Sequence, residues 1–383
     1  MNLEKNISEI RDEINKVDAE LLKAFEKRMS LANEVAEYKI KNNMPVYDRK
    51  REREILNRVE REAGDELGSY AKVLYSTLFQ ISRSYQLKKI ENKSDLSGRI
   101  RNAVETTPRL FPKTAKVACQ GVEGAYSQHA CDRLFSNAQI AYYKTWEDAF
   151  KAVESGECKY GVLPLENSTA GTVNKVYDLL GKYKYYIVKS VRLKIYHSLL
   201  VKKGTKPEDI KEIVSHEQAL SQCSKFLSDL DVKITTFENT AAAAQYVASS
   251  NRNDIAAIGS HDCTELYNLV SINDDIMNTD SNYTRFICVA KTLEVYPGAH
   301  KTSVMFKLPH RPGSLYDVLS KFRALDIDIN KLESRPIPGR DFEFKFYLDM
   351  DTSVYNPDLY SLINELDNEL EYFKYLGSYS EII

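Results

Sequence analysis

A chain of 383 residues is too long for one ordinary core and divides into two or three domains of roughly 100–200 residues each. Its 53 Lys+Arg nearly cancel its 55 Asp+Glu, which excludes a whole-molecule surface for nucleic acid or acidic membrane and makes any cationic site local. Cysteines 119, 131, 158, 223, 263 and 288 stand singly, with no CxxC pair and no zinc-ligand spacing, so reduced buried thiols are expected and a structural metal is not. The opening MNLEKNISEIRDE lacks a signal-peptide core, and no stretch approaches the roughly 18 apolar residues of a membrane span. The chain reads as soluble and cytoplasmic.

From Ile7 to about Lys41 there is no Gly or Pro, and apolar residues recur as Ile7, Ile10, Ile14, Val17, Leu21, Phe25, Ala32 and Val35. Those steps of three and four predict one helix about 50 Å long, ended by Asn42-Asn43-Met44-Pro45. Such a helix buries its stripe only against further helices or a second subunit. Amphipathic runs at about 48–62 and 66–91 predict two more helices. Continuing the stripe demands apolar residues at 28 and 39, yet Arg28 and Lys39 occupy them, and Arg11 lies on the same face. Buried cations need anionic partners. Internal salt bridges or snorkelling supply them in one reading, an anionic ligand in the other. Asp48, Arg51 and Glu52 on one turn, and Ser82 with Gln86 at i,i+4, make the set more cationic than self-neutralising.

These eight positions resemble the active-site pattern of the all-helical chorismate mutases, with the loop at 63–69 about two residues shorter than in common members. The resemblance implies a unimolecular Claisen rearrangement that needs only positioning and electrostatics. Arg11, Arg28 and Arg51 would hold the two substrate carboxylates, helped by Ser82 and Asp48. Lys39 and Gln86 would donate to the ether oxygen, and Glu52 and Asp48 would hold the ring hydroxyl or orient the cations. It also implies a homodimer or higher oligomer in which Arg11 reaches the neighbour's site.

A charged, irregular stretch at 93–113, ending in TTPRLFPKT, reads as a linker between a helical domain at 1–92 and an α/β domain at 114–292. Strands are expected at 116–119, 139–143, 161–163, 185–201, 212–214, 233–236, 255–258 and 286–290. Several end in polar turns that open helices, where exposed N–H groups form anion sites, although each Ser or Thr taken alone serves as an ordinary cap. In order they read GVEGAYSQHA, GVLPLENSTAGTV, SHEQALSQCSKFL, ENTAAAA, AAIGS and NYTRF.

That series resembles the prephenate dehydratases, which implies two lobes similar to periplasmic binding proteins with substrate between them. Glu166, Asn167, Ser215, His216, Gln222 and Arg285 would bind prephenate, with Thr172 and Ser127 as further lining. Thr284 would help the ring hydroxyl depart, and Glu166 is a proton source if burial raises its pKa. Arg285 either pairs with a substrate carboxylate or forms a fold-stabilising salt bridge, and His216 either acts on substrate or caps a turn.

From 302 to 380 the order strand (303–308), helix (313–325), strand (330–336), strand (342–349), helix (357–370), strand (372–379) is the βαββαβ ferredoxin-like plan. The runs HRPGSL and KLESRP resemble the amino-acid-sensing ACT domain. Phenylalanine feedback is what that implies, with Gly313, Ser314, Leu315, Glu333, Ser334 and Arg335 near the effector or the domain interface; Arg335 reads equally as an interdomain salt bridge. No cofactor is expected. The rival class is a non-catalytic receptor with a helical dimerisation domain, against which Lys39 and Thr284 both argue; a chain with one live activity is the other rival.

Overall fold

A computed structural model describes residues 6–42, 44, 48–89, 95–274, 276–337, 339 and 343–383. The expected helix stop at Asn43 and Pro45 and the expected strand start at 342 lie outside them.

Three helices open the chain: α1 (Ile7–Lys41), α2 (Arg49–Glu62) and α3 (Gly64–Lys89). Asn6 starts α1 through a capping box, its side chain accepting from the Ser8 N–H while Glu9 accepts from the Asn6 N–H. Asp48 caps α2 by accepting from the Arg51 N–H at 3.0 Å. In α1 only Ala32 and Ala36 are buried, while Ile14, Val17 and Leu21 are 53%, 62% and 57% exposed. Among the described residues, nothing covers the stripe at Ile14, Val17 and Leu21, while α3 packs on the C-terminal half of the helix. The expected irregular linker contains a further helix, α4 (Asp95–Thr106). Ile100 and Ala103 bury it in the core of the C-terminal domain, a tertiary contact that overrides the polar local pattern.

The middle region forms two sheets. Strands β1 (Thr114–Gln120), β2 (Asn137–Tyr143), β3 (Tyr160–Asn167), β4 (Gly171–Thr172) and β5 (Tyr186–Lys194) belong to the first. Strands β6 (Ser198–Lys202), β7 (Glu212–His216), β8 (Lys233–Phe237), β9 (Ile255–Gly259) and β10 (Leu269–Asn273) form the second, in the order β10-β6-β9-β7-β8. The chain then returns to the first sheet as β11 (Tyr283–Ala290), between β3 and β5. The chain therefore passes between the lobes at 195–197 and again between Asn273 and Tyr283. The single strand expected at 185–201 is split at the first crossing, because its halves bury their apolar runs in different sheets; β10 was not foreseen.

Helices α5 (Tyr126–Leu134), α6 (Trp146–Glu154) and α7 (Asn174–Lys182) cover the first sheet, and α8 (Glu217–Gln222), α9 (Ser224–Ser228), α10 (Thr240–Ser249) and α11 (Cys263–Tyr267) the second. All six cysteines are buried and free. No described helix is long and apolar enough to cross a membrane.

The C-terminal domain follows the βαββαβ order: β12 (Lys301–Lys307), α12 (Ser314–Ala324), β13 (Asp328–Pro336), β14 (Phe344–Asp351), α13 (Pro357–Glu369) and β15 (Phe373–Tyr379), with sheet order β13-β14-β12-β15. One sheet face packs under α12 and α13 through Val304, Phe306 and Leu348. The alternating residues Met305 and Tyr347 pack instead on α7 of the first lobe. At the seam, a Cβ on Gly377 (φ 138°) would meet the Ile187 carbonyl oxygen at 2.2 Å, so only glycine lets β15 close on β5. A last strand, β16 (Glu381–Ile382), then adds to the first sheet beside β5.

Candidate active sites

The helical domain gathers part of its expected set. Arg28 donates to the Leu78 carbonyl at 3.3 Å and to Ser82 Oγ, and its guanidinium lies over Phe79, 5.4 Å from the ring centre. Burial holds Arg28 below the usual guanidinium range, countered by the nearby Tyr75 and Glu52. Ser82 and Gln86 are buried one turn apart on α3, and Gln86 Oε1 has no hydrogen-bond partner among the described residues. A buried polar atom left open in this way suits a ligand. Glu52 is bound by Arg83, a residue absent from the expected set. Lys39 is half-buried near the end of α1.

Three expected residues do not join this cluster. Arg51 is exposed and pairs with Glu54 at 3.7 Å, and Asp48 is exposed as the α2 cap. Arg11 is exposed too, and a continuous helix sets it about 25 Å along the axis from Arg28. No rearrangement within one straight helix brings those two together.

The second site is a cleft of about 670 Å³ between the lobes. The starts of α5, α6, α7, α8 and α10 line it, through Tyr126, Trp146, Val173, His216 and Thr240. Helix dipoles and first-turn N–H groups favour an anion, although Thr145, His216 and Asn239 each cap one N–H of α6, α8 and α10. Lys175 adds a cation at the rim, where Lys144 lies 3.5 Å from Glu238 and Glu147 adds a further carboxylate.

One hydrogen-bonded cluster lies on the cleft wall. Asn167 Nδ2 donates to Thr284 Oγ1 at 2.9 Å and to Asn282 Oδ1 at 2.7 Å. Asn282 Nδ2 donates to Gln222 Oε1 at 3.0 Å, which also lies 3.2 Å from His197 Nε2. The Thr284 oxygen accepts from Asn167, leaving its own hydrogen to point elsewhere. Burial lowers the His197 pKa to about 4, and it lowers His216 as well, so both rings are neutral near pH 7. His216 caps α8, accepting from the Gln218 N–H at 3.3 Å, and it lines the cleft. Sequence reasoning missed His197 and Asn282. Asn282 opens the NYTRF motif and was within reach; His197 lies at the lobe crossing, where a continuous strand was expected.

Asn167, His216, Gln222, Thr284, Ser127 and Thr172 all line the cleft, whereas Glu166, Ser215 and Arg285 do not. Strand alternation is the cause: Glu166 precedes Asn167 on β3 and Arg285 follows Thr284 on β11, so each projects from the opposite face. There Arg285 Nε lies 2.8 Å from Glu166 Oε1 and the guanidinium also binds Asp349 of β14, while Lys331 of β13 takes the other Glu166 oxygen. Of the two readings of Arg285, its position fits the salt bridge. The Glu166 carboxylate, with both oxygens taken on the far face, is not poised as a proton source. Ser215 is fully buried and donates to the Ile258 carbonyl at 2.6 Å.

In the C-terminal domain Gly313 stands before α12 at φ 86°, the left-handed region that favours glycine. The next residue, Ser314, is buried with its hydroxyl unpartnered among the described residues, and Leu315 packs on the core beneath the helices. Glu333 accepts from Thr172 at 2.9 Å and Arg335 lies 3.3 Å from Asp178, both toward the first lobe; Ser334 between them is exposed.

A cationic helical site in front of a two-lobed cleft ringed by helix starts defines a class: an enzyme with two separate sites for small carboxylates. The chorismate mutase type II family model matches residues 10–87, and the prephenate dehydratase model matches residues 117–293. A bifunctional chorismate mutase/prephenate dehydratase of Enterobacter agglomerans is 32% identical over 99% of this chain and 97% of its own length. An arogenate dehydratase/prephenate dehydratase of Arabidopsis thaliana is 33% identical over 78% of this chain and 81% of its own. Among solved structures, a prephenate dehydratase from Arthrobacter aurescens in complex with L-Phe superposes with a TM-score of 0.64 at 25% identity, covering 69% of this chain and 90% of that one.

The chain belongs to the bifunctional chorismate mutase/prephenate dehydratase family. It carries both activities and serves phenylalanine biosynthesis.

Proposed function

We propose that the two reactions run in separate places, a mutase domain at 1–92 and a two-lobed dehydratase domain at 114–292 that resembles periplasmic binding proteins, joined by 93–113. A phenylalanine-sensing ACT domain at 302–380 follows. In the mutase site Arg28 and the partner copy's residue 11 hold the two carboxylates of chorismate in the reactive conformer, and Arg51 joins them by leaving Glu54, with which it pairs in the single chain. Lys39 and Gln86 donate to the ether oxygen as the C–O bond breaks; Glu52 holds the ring hydroxyl, with Ser82 and Asp48 supporting the cations. The open stripe on α1 supports the homodimer this requires.

In the dehydratase cleft the C–C bond to the ring carboxylate breaks, and its electron pair enters the ring as hydroxide leaves from the opposite ring carbon. Carbon dioxide, hydroxide and an aromatic ring result, and the hydroxide becomes water by taking a proton from solvent. Thr284 donates a hydrogen bond to the departing hydroxyl, and the observation that carries this role is the Asn167 amide holding the Thr284 oxygen as acceptor. Asn167, Gln222 and His216 seat the substrate, while the helix starts and Lys175 take its carboxylates. Glu166 and Arg285 act one layer out, tying the cleft wall to the ACT domain through Lys331 and Asp349.

Phenylalanine binds near Gly313, Ser314 and Leu315, with Ser334 close by, and its effect reaches the cleft through that interface. A cytoplasmic location is part of the same proposal. Giving the purified chain chorismate, with and without phenylalanine, tests the whole reading. Phenylpyruvate that falls with phenylalanine supports it; prephenate that accumulates removes the dehydratase, and unconsumed chorismate removes the mutase.

A further inference from the structure

Helix α3 faces two ways. Leu78, Phe79 and Ser82 contact Arg28 in the mutase site, whereas Gln80 and Ser84 bind the C-terminal domain: Gln80 Nε2 donates to Asp317 at 2.7 Å and Ser84 Oγ to Glu365 at 2.8 Å. Arg83 lies between these contacts and is 12% exposed. Its guanidinium bonds Glu52, and its Nε stands 3.4 Å from Glu369 Oε1 at the end of α13. The other Glu369 oxygen lies 2.9 Å from Lys321 Nζ on α12, and Lys321 also pairs with the buried Glu365.

The chain of charges is Glu52, Arg83, Glu369, Lys321, Glu365. Along this chain Arg83 is divided between one carboxylate of the mutase site, which also has Arg28 nearby, and one of the C-terminal domain. With side chains this well shielded, a change at either end is weakly screened by solvent. Lys321 stands seven residues after Ser314 on the same helix, which begins at the Gly313 turn.

We propose that Arg83 is a positioning residue for the mutase reaction: it holds Glu52 against the substrate's ring hydroxyl, and Glu369 of the C-terminal domain sets how firmly. The inference rests on the proposed role of Glu52. Arg83 touches no reacting atom. It acts by fixing the carboxylate that does, and it gives the C-terminal domain a route to the mutase site that does not pass through the dehydratase cleft.

The experiment measures mutase kcat and KM with chorismate, and dehydratase rate with prephenate, on the same full-length proteins. Arg83→Gln lowers mutase kcat about tenfold with KM within about threefold, and Arg83→Lys recovers part of the loss. Dehydratase rate, which reports the fold, stays within about twofold of native. In a Glu52→Gln background, Arg83→Gln adds less than about twofold, since the group it positions is gone. Glu369→Gln hands Arg83 wholly to Glu52 and raises mutase kcat in the native background but not in the Arg83→Gln background. Equal losses for Arg83→Gln with and without Glu52, a parallel fall in both activities, or a Glu369→Gln variant with unaltered or lower mutase kcat would each overturn the proposal. Native protein that leaves chorismate untouched sinks the underlying mutase reading instead, and native protein whose Glu52→Gln variant is fully active sinks the role of Glu52.

Discussion

Along α1 the expected mutase residues are spread by helical rise, so Arg11 and Arg28 stand about 25 Å apart however the domain is packed. In the cleft, Asn167 and Thr284 are separated by 117 positions in sequence, yet their side chains meet at 2.9 Å. A sheet threaded by distant segments concentrates its strand ends and helix starts at one place. One long helix disperses its residues and completes a site only with a second helix from elsewhere. The exposure of Ile14, Val17 and Leu21 along the same helix fits that need.

The largest expected effects separate the two sites chemically. Lys39→Ala should slow chorismate conversion by about 10²–10³-fold, through loss of the donor at the developing ether oxyanion, while prephenate conversion stays native. Thr284→Val should do the reverse, with prephenate accumulating from chorismate. Steady-state rates on each substrate decide; a variant that damaged both activities would blur the division into two sites.

Arg285 tests the cleft wall. Removing a buried cation leaves Glu166 and Asp349 unpaired, so Arg285→Gln should cost about 3–5 kcal/mol in denaturant unfolding, with the KM for prephenate near native below the transition. A large rise in KM with unchanged stability would return Arg285 to the substrate.

The smallest effect concerns acid. His197 titrates at about 4 in the folded protein against about 6.5 when unfolded. The unfolded chain binds its proton first, so the native state loses stability as pH falls from about 6.5 to 4, by about 3 kcal/mol in all. His197→Gln should flatten that limb relative to native protein, measured by denaturant midpoints across the range. Identical slopes would mean that the ring is charged inside the fold.

Much of this plan was legible beforehand. Gaps of three and four along α1 announced the helix, while the meeting of Arg28 with Ser82 across two helices was expected from the family resemblance and not from spacing. Asn167, Gln222 and Thr284 met through motif order alone, since no periodicity relates them. What stayed hidden depended on partners from afar. The salt-bridge reading of Arg285 draws on Asp349, and its partner Glu166 on Lys331, residues that come from a different domain and carry no local signal. Alternation along β3 and β11 would have separated Glu166 from Asn167 and Arg285 from Thr284, had both strands been traced to their ends. His197 escaped because 185–201 contains no Gly, Pro, Asn or Asp to mark a break, and helix α4 escaped because its burial is supplied by the C-terminal domain.

Whether the mutase site is shared between chains is the point on which this contrast turns. Arg11→Ala and Lys39→Ala proteins, each nearly inactive on chorismate, should be unfolded together, refolded as an equal mixture and assayed. If Arg11 serves the partner's site, half of the dimers are mixed and hold one intact site each, so about a quarter of the native mutase rate should return. A mixture that stays inactive although mixed dimers are present by native mass spectrometry would contradict the account and place the complete site within one chain.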